Sequence, residues 1–124
     1  MQLTVIQEGK CYAICALAQG SRCEAKNFID DCKREDSNGH TGLFALLDRI
    51  AEIGVPRANE HQFKKVRDNL YEMKTTKVRL FCFFDPAERK VIILTHGWKK
   101  GPTREQDQQI ARAERLRDNY LAKH

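Results

Sequence analysis

Apolar positions change their period about halfway along the chain. Gln2–Gln7 (QLTVIQ) alternates briefly and carries β-branched residues, which predicts a first strand. Lys10–Ala18 is apolar without a clear period and reads either as an extension of that strand or as a short helix. Ser21-Arg22-Cys23-Glu24 has the spacing of a capping box, and Phe28, Ile29 and Cys32 behind it form the apolar side of a helix ending near Asp36. Ser37–Gly42 (SNGHTG) reads as a loop. Thr41 is then placed to cap a second helix, in which Leu43, Leu46, Leu47, Ile50 and Ile53 recur at helical spacing. Gly54 suits its C-terminal cap and Pro56 its stop.

Beyond that point the pattern is strand-like. Asn69–Thr75, Lys77–Phe84 and Val91–His96 are rich in aromatic and β-branched residues, with Gly97 ending the third. The short connections at Lys74–Lys77 and at Asp85-Pro86-Ala87-Glu88 predict antiparallel neighbours, hence a meander. Thr103-Arg104-Glu105-Gln106 again has capping-box spacing, and Ile110, Ala113, Leu116, Tyr120 and Leu121 make the apolar stripe of a closing helix. The expected fold is one α+β domain over residues 1–124, in the order β-α-α-β-β-β-α, with helices on one face of an antiparallel sheet.

Composition narrows the function classes. The 124 residues are 41% hydrophobic, well above the disordered range, and no run approaches the ~20 apolar residues of a membrane span. Cys11–Ala18 follows Glu8 and Lys10 without a basic segment, so it does not read as a signal peptide, and a cytoplasmic location is expected. The net charge of +5 is unevenly spread. Residues 1–63 carry 7 basic and 9 acidic side chains, and residues 64–124 carry 15 and 8. A basic excess confined to one half is either a solubilising surface or a field for anions such as phosphate backbones. The five cysteines, at 11, 15, 23, 32 and 82, match no CxxC spacing and fit buried small hydrophobes better than metal ligands or a redox pair.

Strand parity then separates the side chains of the central strand. Val78, Leu80, Cys82 and Phe84 should face the helices, and Lys77, Arg79, Phe81 and Phe83 should share the open face. Glu72 and Lys74 share one face of the preceding strand and fall near Arg79 across the hairpin. Cations, a carboxylate and aromatics on a strand surface suit phosphate contact and base stacking. The plainer alternative for Glu72 is a surface ion pair with Arg79 or Lys74, worth at most about 1 kcal/mol. His96 has the chemistry of a general acid or base, although a histidine that merely hydrogen-bonds at a strand end is commoner. Lys99, Lys100 and the start of the last helix, at Arg104, together can attract an anion.

Four segments of the second half, in order, carry a resemblance: LYEMK (Leu70–Lys74), VRLFCFF (Val78–Phe84), VIILTHGWKK (Val91–Lys100) and the helix with Ile110-Ala111. Over residues 63–122 the chain resembles the phage-derived, HigB-like branch of the RelE/ParE toxin superfamily. The resemblance implies a RelE/ParE-like fold and a toxin of a type II toxin–antitoxin system, most simply a metal-independent messenger-RNA endonuclease acting on the ribosome without a cofactor. It implies a cognate helix-turn-helix antitoxin as partner, and a monomer when free. Arg79 matches the family's strand arginine and would contact the scissile phosphate. Lys74 stands where relatives have arginine. Lys99 and Lys100 match a lysine pair and, with Lys77 and Arg104, would hold neighbouring phosphates. Glu72 and His96 are the proton-transfer candidates, while Trp98 would either stack on a base or pack under the last helix. Val78 stands where relatives often have tyrosine. Two other functions fit the same resemblance: a ParE-like DNA gyrase poison that hydrolyses nothing, and a non-toxic prophage-derived binding module.

Overall fold

The segment Val78–Phe84 is apolar at almost every position, and such a strand is stable only with both faces covered. The computed structural model, which describes residues 2–55 and 61–123, shows how that is done. The elements run β1 (Gln2–Glu8), β2 (Ala13–Ala18), α1 (Glu24–Glu35), α2 (Ser37–Ile53), β3 (Phe63–Arg67), β4 (Leu70–Lys74), β5 (Val78–Phe84), β6 (Val91–Lys99) and α3 (Thr103–Lys123). One six-stranded sheet has the order β1-β2-β6-β5-β4-β3. The meander β3 to β6 is antiparallel, as is β1 on β2, but β2 lies parallel to β6 with Ala13 opposite Val91. The sheet is therefore mixed rather than antiparallel. The helical pair α1–α2 carries the chain from β2 to β3 at the far edge of the sheet, and the meander then brings β6 back to lie parallel beside β2.

The helices also divide between the faces instead of sharing one. Ile29 and Cys32 of α1 and Leu43, Leu47 and Ile50 of α2 pack with Ile14, Ala16, Val78, Leu80, Cys82 and Leu94, which is the face that parity assigns to the helices. On the opposite face, Ile110 and Ala113 of α3 cover Leu70, Phe81 and Trp98, while Tyr120 covers Leu17, Phe83 and Ile93. Phe81 and Phe83, expected on an open surface, are fully buried. Fully burying one such ring contributes roughly 1.5–3 kcal/mol, so leaving two of them in water would have cost more than docking an amphipathic helix.

Local differences from the sequence reading have identifiable causes. Lys10–Ala18 resolves into strand β2, because its apolar residues are buried between β1 and β6. Ser21 does not cap α1. It sits in a tight turn where Gln19 and Arg22 pair and Gly20 takes φ +61°, and Cys23 occupies the cap position without a side-chain bond. Ser37–Gly42 is not a loop but the first turns of α2. Asp36 caps it by accepting from the Gly39 amide at 3.0 Å, while the Thr41 hydroxyl donates back to the Ser37 carbonyl inside the helix. Gly54 ends α2 at φ +111° as expected, and Pro56 lies outside the described residues. Asn69 precedes β4 rather than opening it: at φ +46° it turns the chain, and its side chain pairs with the Phe84 backbone in both directions. The unforeseen strand β3 pairs along β4. Thr103 lies within α3 rather than before it.

Gly97 does not end β6, which continues through it to Lys99. It is instead a point of close approach between sheet and α1. A Cβ built there would lie 2.4 Å from the Phe28 ring and 2.7 Å from a Leu80 methyl carbon. We expect Gly97→Ala to destabilise the protein by about 1–3 kcal/mol, the usual range for overpacking, measurable as a lowered midpoint in chemical unfolding.

Candidate functional site: a buried carboxylate and guanidinium under a basic rim

The β4–β5 hairpin sets the geometry. Its register places Lys74 opposite Arg79 and Glu72 opposite Phe81, and the β5–β6 register places Trp98 opposite Arg79 and His96 opposite Phe81. All these side chains therefore belong to the face that α3 covers. Arg79 Nε lies 3.7 Å from Glu72 Oε1, and the two side chains are only 11% and 3% exposed. Arg79 Nη1 also donates to the Thr75 carbonyl at 2.6 Å and to the Val78 carbonyl at 3.0 Å. The second Glu72 oxygen, Oε2, and the Trp98 indole nitrogen are both buried without a hydrogen-bond partner among the described residues. Orphaned buried polar atoms are uncommon and costly, and sites that receive a ligand are one place where they are tolerated.

The electrostatics of Glu72 are a contest. Burial pushes its carboxyl above the ordinary glutamate range, while Arg79, Lys74, Lys64 and Lys100 all pull it down; burial prevails. The three lysines among these cations define a rim. Lys64 comes from β3, where it stands opposite Glu72; Lys74 ends β4 and Lys100 follows β6. A buried carboxylate of raised proton affinity beside a guanidinium can accept a proton from a bound hydroxyl while the cations balance negative charge developing next to it.

The remaining sequence candidates fall elsewhere. His96 is 1% exposed, stacked at a 34° tilt against Phe81, with its Nε2 2.9 Å from the Gln109 side-chain oxygen of α3. That oxygen is an acceptor, so Nε2 carries the proton. Burial lowers the His96 pKa most, Arg112 adds to the fall, and the Gln109 bond and Glu24 oppose it. The ring is consequently a neutral strut between sheet and α3. Trp98 packs under α3 with Ile110 and Ala113. Lys99 points to the other side of the sheet, 3.3 Å from Glu35 of α1. Lys77 is exposed at the β4–β5 turn, where its carbonyl accepts the Lys100 amide, and Arg104 is exposed in the first turn of α3. Lys64 was missed by sequence reasoning. Its only signal was one residue of alternation in Phe63-Lys64-Lys65-Val66, too short to stand out from a run of charges. Arg112, which pairs with Glu24 and ties α3 to α1 beside His96, had no sequence signal at all.

The described residues bring no three His, Cys, Asp or Glu side chains together as metal ligands, and no helix among them is long and apolar enough to cross a membrane. The cysteines are free, and burial pushes the Cys15, Cys32 and Cys82 thiols up, Cys82 most strongly. At neutral pH these thiols are protonated and unreactive, as small hydrophobes would be.

The described residues form a mixed sheet covered by helices on both faces, with the Glu72–Arg79 pair buried beneath three lysines. The family described as "Phage derived protein Gp49-like (DUF891)" matches residues 34–118, and the chain belongs to it. The match runs from the end of α1 to the last turns of α3, so it takes in α2 and β3 as well as the second-half motifs. Among curated proteins none matches the chain.

The raised Glu72 pKa makes a signed prediction. The folded state holds this proton more tightly than the unfolded chain, so stability from this group is present at low pH. It is lost as pH rises from the unfolded glutamate value of about 4.3 through the higher folded one. Unfolding free energies measured from pH 4 to pH 7 should fall relative to those of Glu72→Gln as pH increases, and the Glu72 carboxyl carbon should titrate above the ordinary glutamate value by NMR.

Proposed function

We propose that the protein is the toxin of a toxin–antitoxin pair and acts as a messenger-RNA endonuclease on the ribosome, within the RelE/ParE type of fold. The observation that carries this reading is the Glu72–Arg79 pair, buried at the floor of a ring formed by Lys64, Lys74 and Lys100. Family membership supports a phage-derived, toxin-like origin.

In the proposed reaction Glu72 in its ionised form takes the proton of a ribose 2′-hydroxyl, and that oxygen attacks the adjacent phosphorus. Arg79 gives up a backbone carbonyl partner to meet the phosphoryl oxygens, as charge builds on them. The bond to the 5′ oxygen breaks, and that oxygen takes a proton from a lysine ammonium of the rim. The products are a 2′,3′-cyclic phosphate and a 5′-hydroxyl. Each part follows from general requirements of in-line displacement at phosphorus: a base, charge stabilisation and an acid. His96 in this account holds α3 against the strand rather than moving a proton, because both its burial and its bond to Gln109 keep it from the rim. Trp98 supports the guanidinium from the neighbouring strand. Lys99, Lys77 and Arg104 lie outside the ring and would meet flanking phosphates. A helix-turn-helix antitoxin that neutralises the basic rim is the proposed partner.

Induced expression of the parent should arrest growth with cleaved messages. Arg79→Ala should restore growth and slow cleavage by a factor of about 10² or more, the usual effect of removing one donor to a developing oxyanion. Intact transcripts together with blocked DNA supercoiling would instead identify a gyrase poison. Equal toxicity of Arg79→Ala and the parent would remove the proposed site.

A further inference from the structure

Among the described residues the sheet ends in β1 on one side and β3 on the other, and the two edges are built oppositely. β3 reads Phe63-Lys64-Lys65-Val66-Arg67, and its cations blunt it against pairing with another chain. β1 carries no charge and no proline from Gln2 to Gln7, with Glu8 as its only charged residue. It lies outside the family match at residues 34–118. Apolar side chains flank this edge on both faces of the sheet. Leu3 packs with Leu17 and Tyr120 under α3, and Val5, opposite Cys15 on the same face, is 56% exposed. On the other face Ile6 packs with the α1–α2 core, and Gln7 Nε2 donates to Asp48 Oδ1 at 3.0 Å, which brings α2 alongside the strand. Phe44, one helical turn before Asp48, lies on the same side of α2 and is 48% exposed.

Parity favours one register in which this strand pairs with a second copy of itself. Leu3 and Val5 belong to the α3 face, and Gln2, Thr4 and Ile6 belong to the α2 face. Directly opposed residues of antiparallel strands share a face. Placing Thr4 opposite Thr4 satisfies that rule at every pair: Leu3 then meets Val5, and Gln2 meets Ile6. This register uses the whole strand up to the bulge between Val5 and Gln7. Centring on Leu3 leaves fewer pairs, and centring on Val5 runs the pairing through the bulge.

We infer that β1 is the seat of a homodimer, in which two copies pair antiparallel about a two-fold axis at Thr4 and join their six-stranded sheets into one continuous sheet. On one face Leu3 and Val5 of each copy meet across the axis, and on the other the two α2 helices present Phe44 to each other. Such an isologous contact closes on itself, and the cationic β3 edges give the joined sheet nothing to grow from. Charge favours the same arrangement. Residues 1–63 carry 7 basic and 9 acidic side chains against 15 and 8 in residues 64–124, so pairing through β1 holds the strongly basic halves apart. The Glu72–Arg79 pair, on β4 and β5, then lies toward the outer ends and stays free. This dimer departs from the free monomer that the family resemblance implies, and it stands or falls independently of the endonuclease reading.

One short strand and its flanking side chains make a contact smaller than the standard interface of about 1,200–2,000 Å², so association should depend on concentration. Sedimentation of the full chain from micromolar to millimolar concentration should show a monomer–dimer equilibrium. Val5→Lys and Phe44→Lys, both at exposed positions, should each weaken the dimer roughly tenfold or more, as charge at a sheet edge does, while keeping the parent's unfolding midpoint. Directly opposed residues of antiparallel strands have Cα atoms about 4.5–5.5 Å apart, within reach of a disulfide. Thr4→Cys should therefore give a covalent dimer under mild oxidation, whereas Lys64→Cys on β3 and the parent with its own five cysteines should not. A chain that stays monomeric over the whole range would overturn the inference. So would a dimer that both lysine variants leave intact, a cross-link formed as readily from Lys64→Cys as from Thr4→Cys, or growth beyond two copies.

Discussion

Everything in this molecule depends on one strand needing cover on two sides. β5 offers Val78, Leu80 and Cys82 to one face and Phe81 and Phe83 to the other, all buried. Neither face tolerates water, so α1 and α2 close one and α3 closes the other. The only charged side chain in the strand, Arg79, is thereby trapped at the edge of an apolar layer. It can be held there only because Glu72, two backbone carbonyls and the end of the hairpin lie within reach. The candidate site is thus the place where the double-sided core runs out. A buried ion pair of this kind adds little to stability on its own, since desolvation offsets most of the attraction. The chemical role proposed for the pair accounts for it, and for the Glu72 oxygen that has no partner among the described residues, better than a stabilising one would.

How much of this was legible in the sequence follows from the same strand. Parity along Val78–Phe84 sorted the side chains onto the right faces, and register across the hairpin put Arg79 beside Lys74 and Glu72. What parity could not say was whether the second face was open. The near-continuous apolar run was itself the signal of burial on both sides, and the apolar stripe of α3 was the matching cover; only their three-dimensional pairing joins the two facts. The parallel contact between β2 and β6 was hidden for a related reason. Pairing partners 78 residues apart leave no local trace in composition.

Smaller misreadings came from polar residues that serve two structures equally well. Ser37-Asn38-Gly39-His40-Thr41 has the composition of a loop, yet the Asp36 cap starts a helix through it. Gly97 looked like a terminator and is a contact point under Phe28. Of the residues that the structure brings together at the candidate site, Glu72, Arg79, Lys74 and Lys100 had been singled out from sequence and Lys64 had not. His96, Trp98 and Lys99 share β6 with the site, but two are buried beneath α3 and the third reaches toward α1. A motif read linearly gathers residues that alternate between faces, and the sheet then separates them.

The central claim is that the buried pair beneath the basic rim cleaves RNA by attack of its own 2′-hydroxyl. The most direct measurement is the chemistry of the ends produced when purified protein meets translating ribosomes. The account predicts 3′ fragments beginning with a 5′-hydroxyl and upstream fragments ending in a 2′,3′-cyclic phosphate, both absent with Arg79→Ala. Fragments beginning with a 5′-phosphate, or messages left whole, would contradict it.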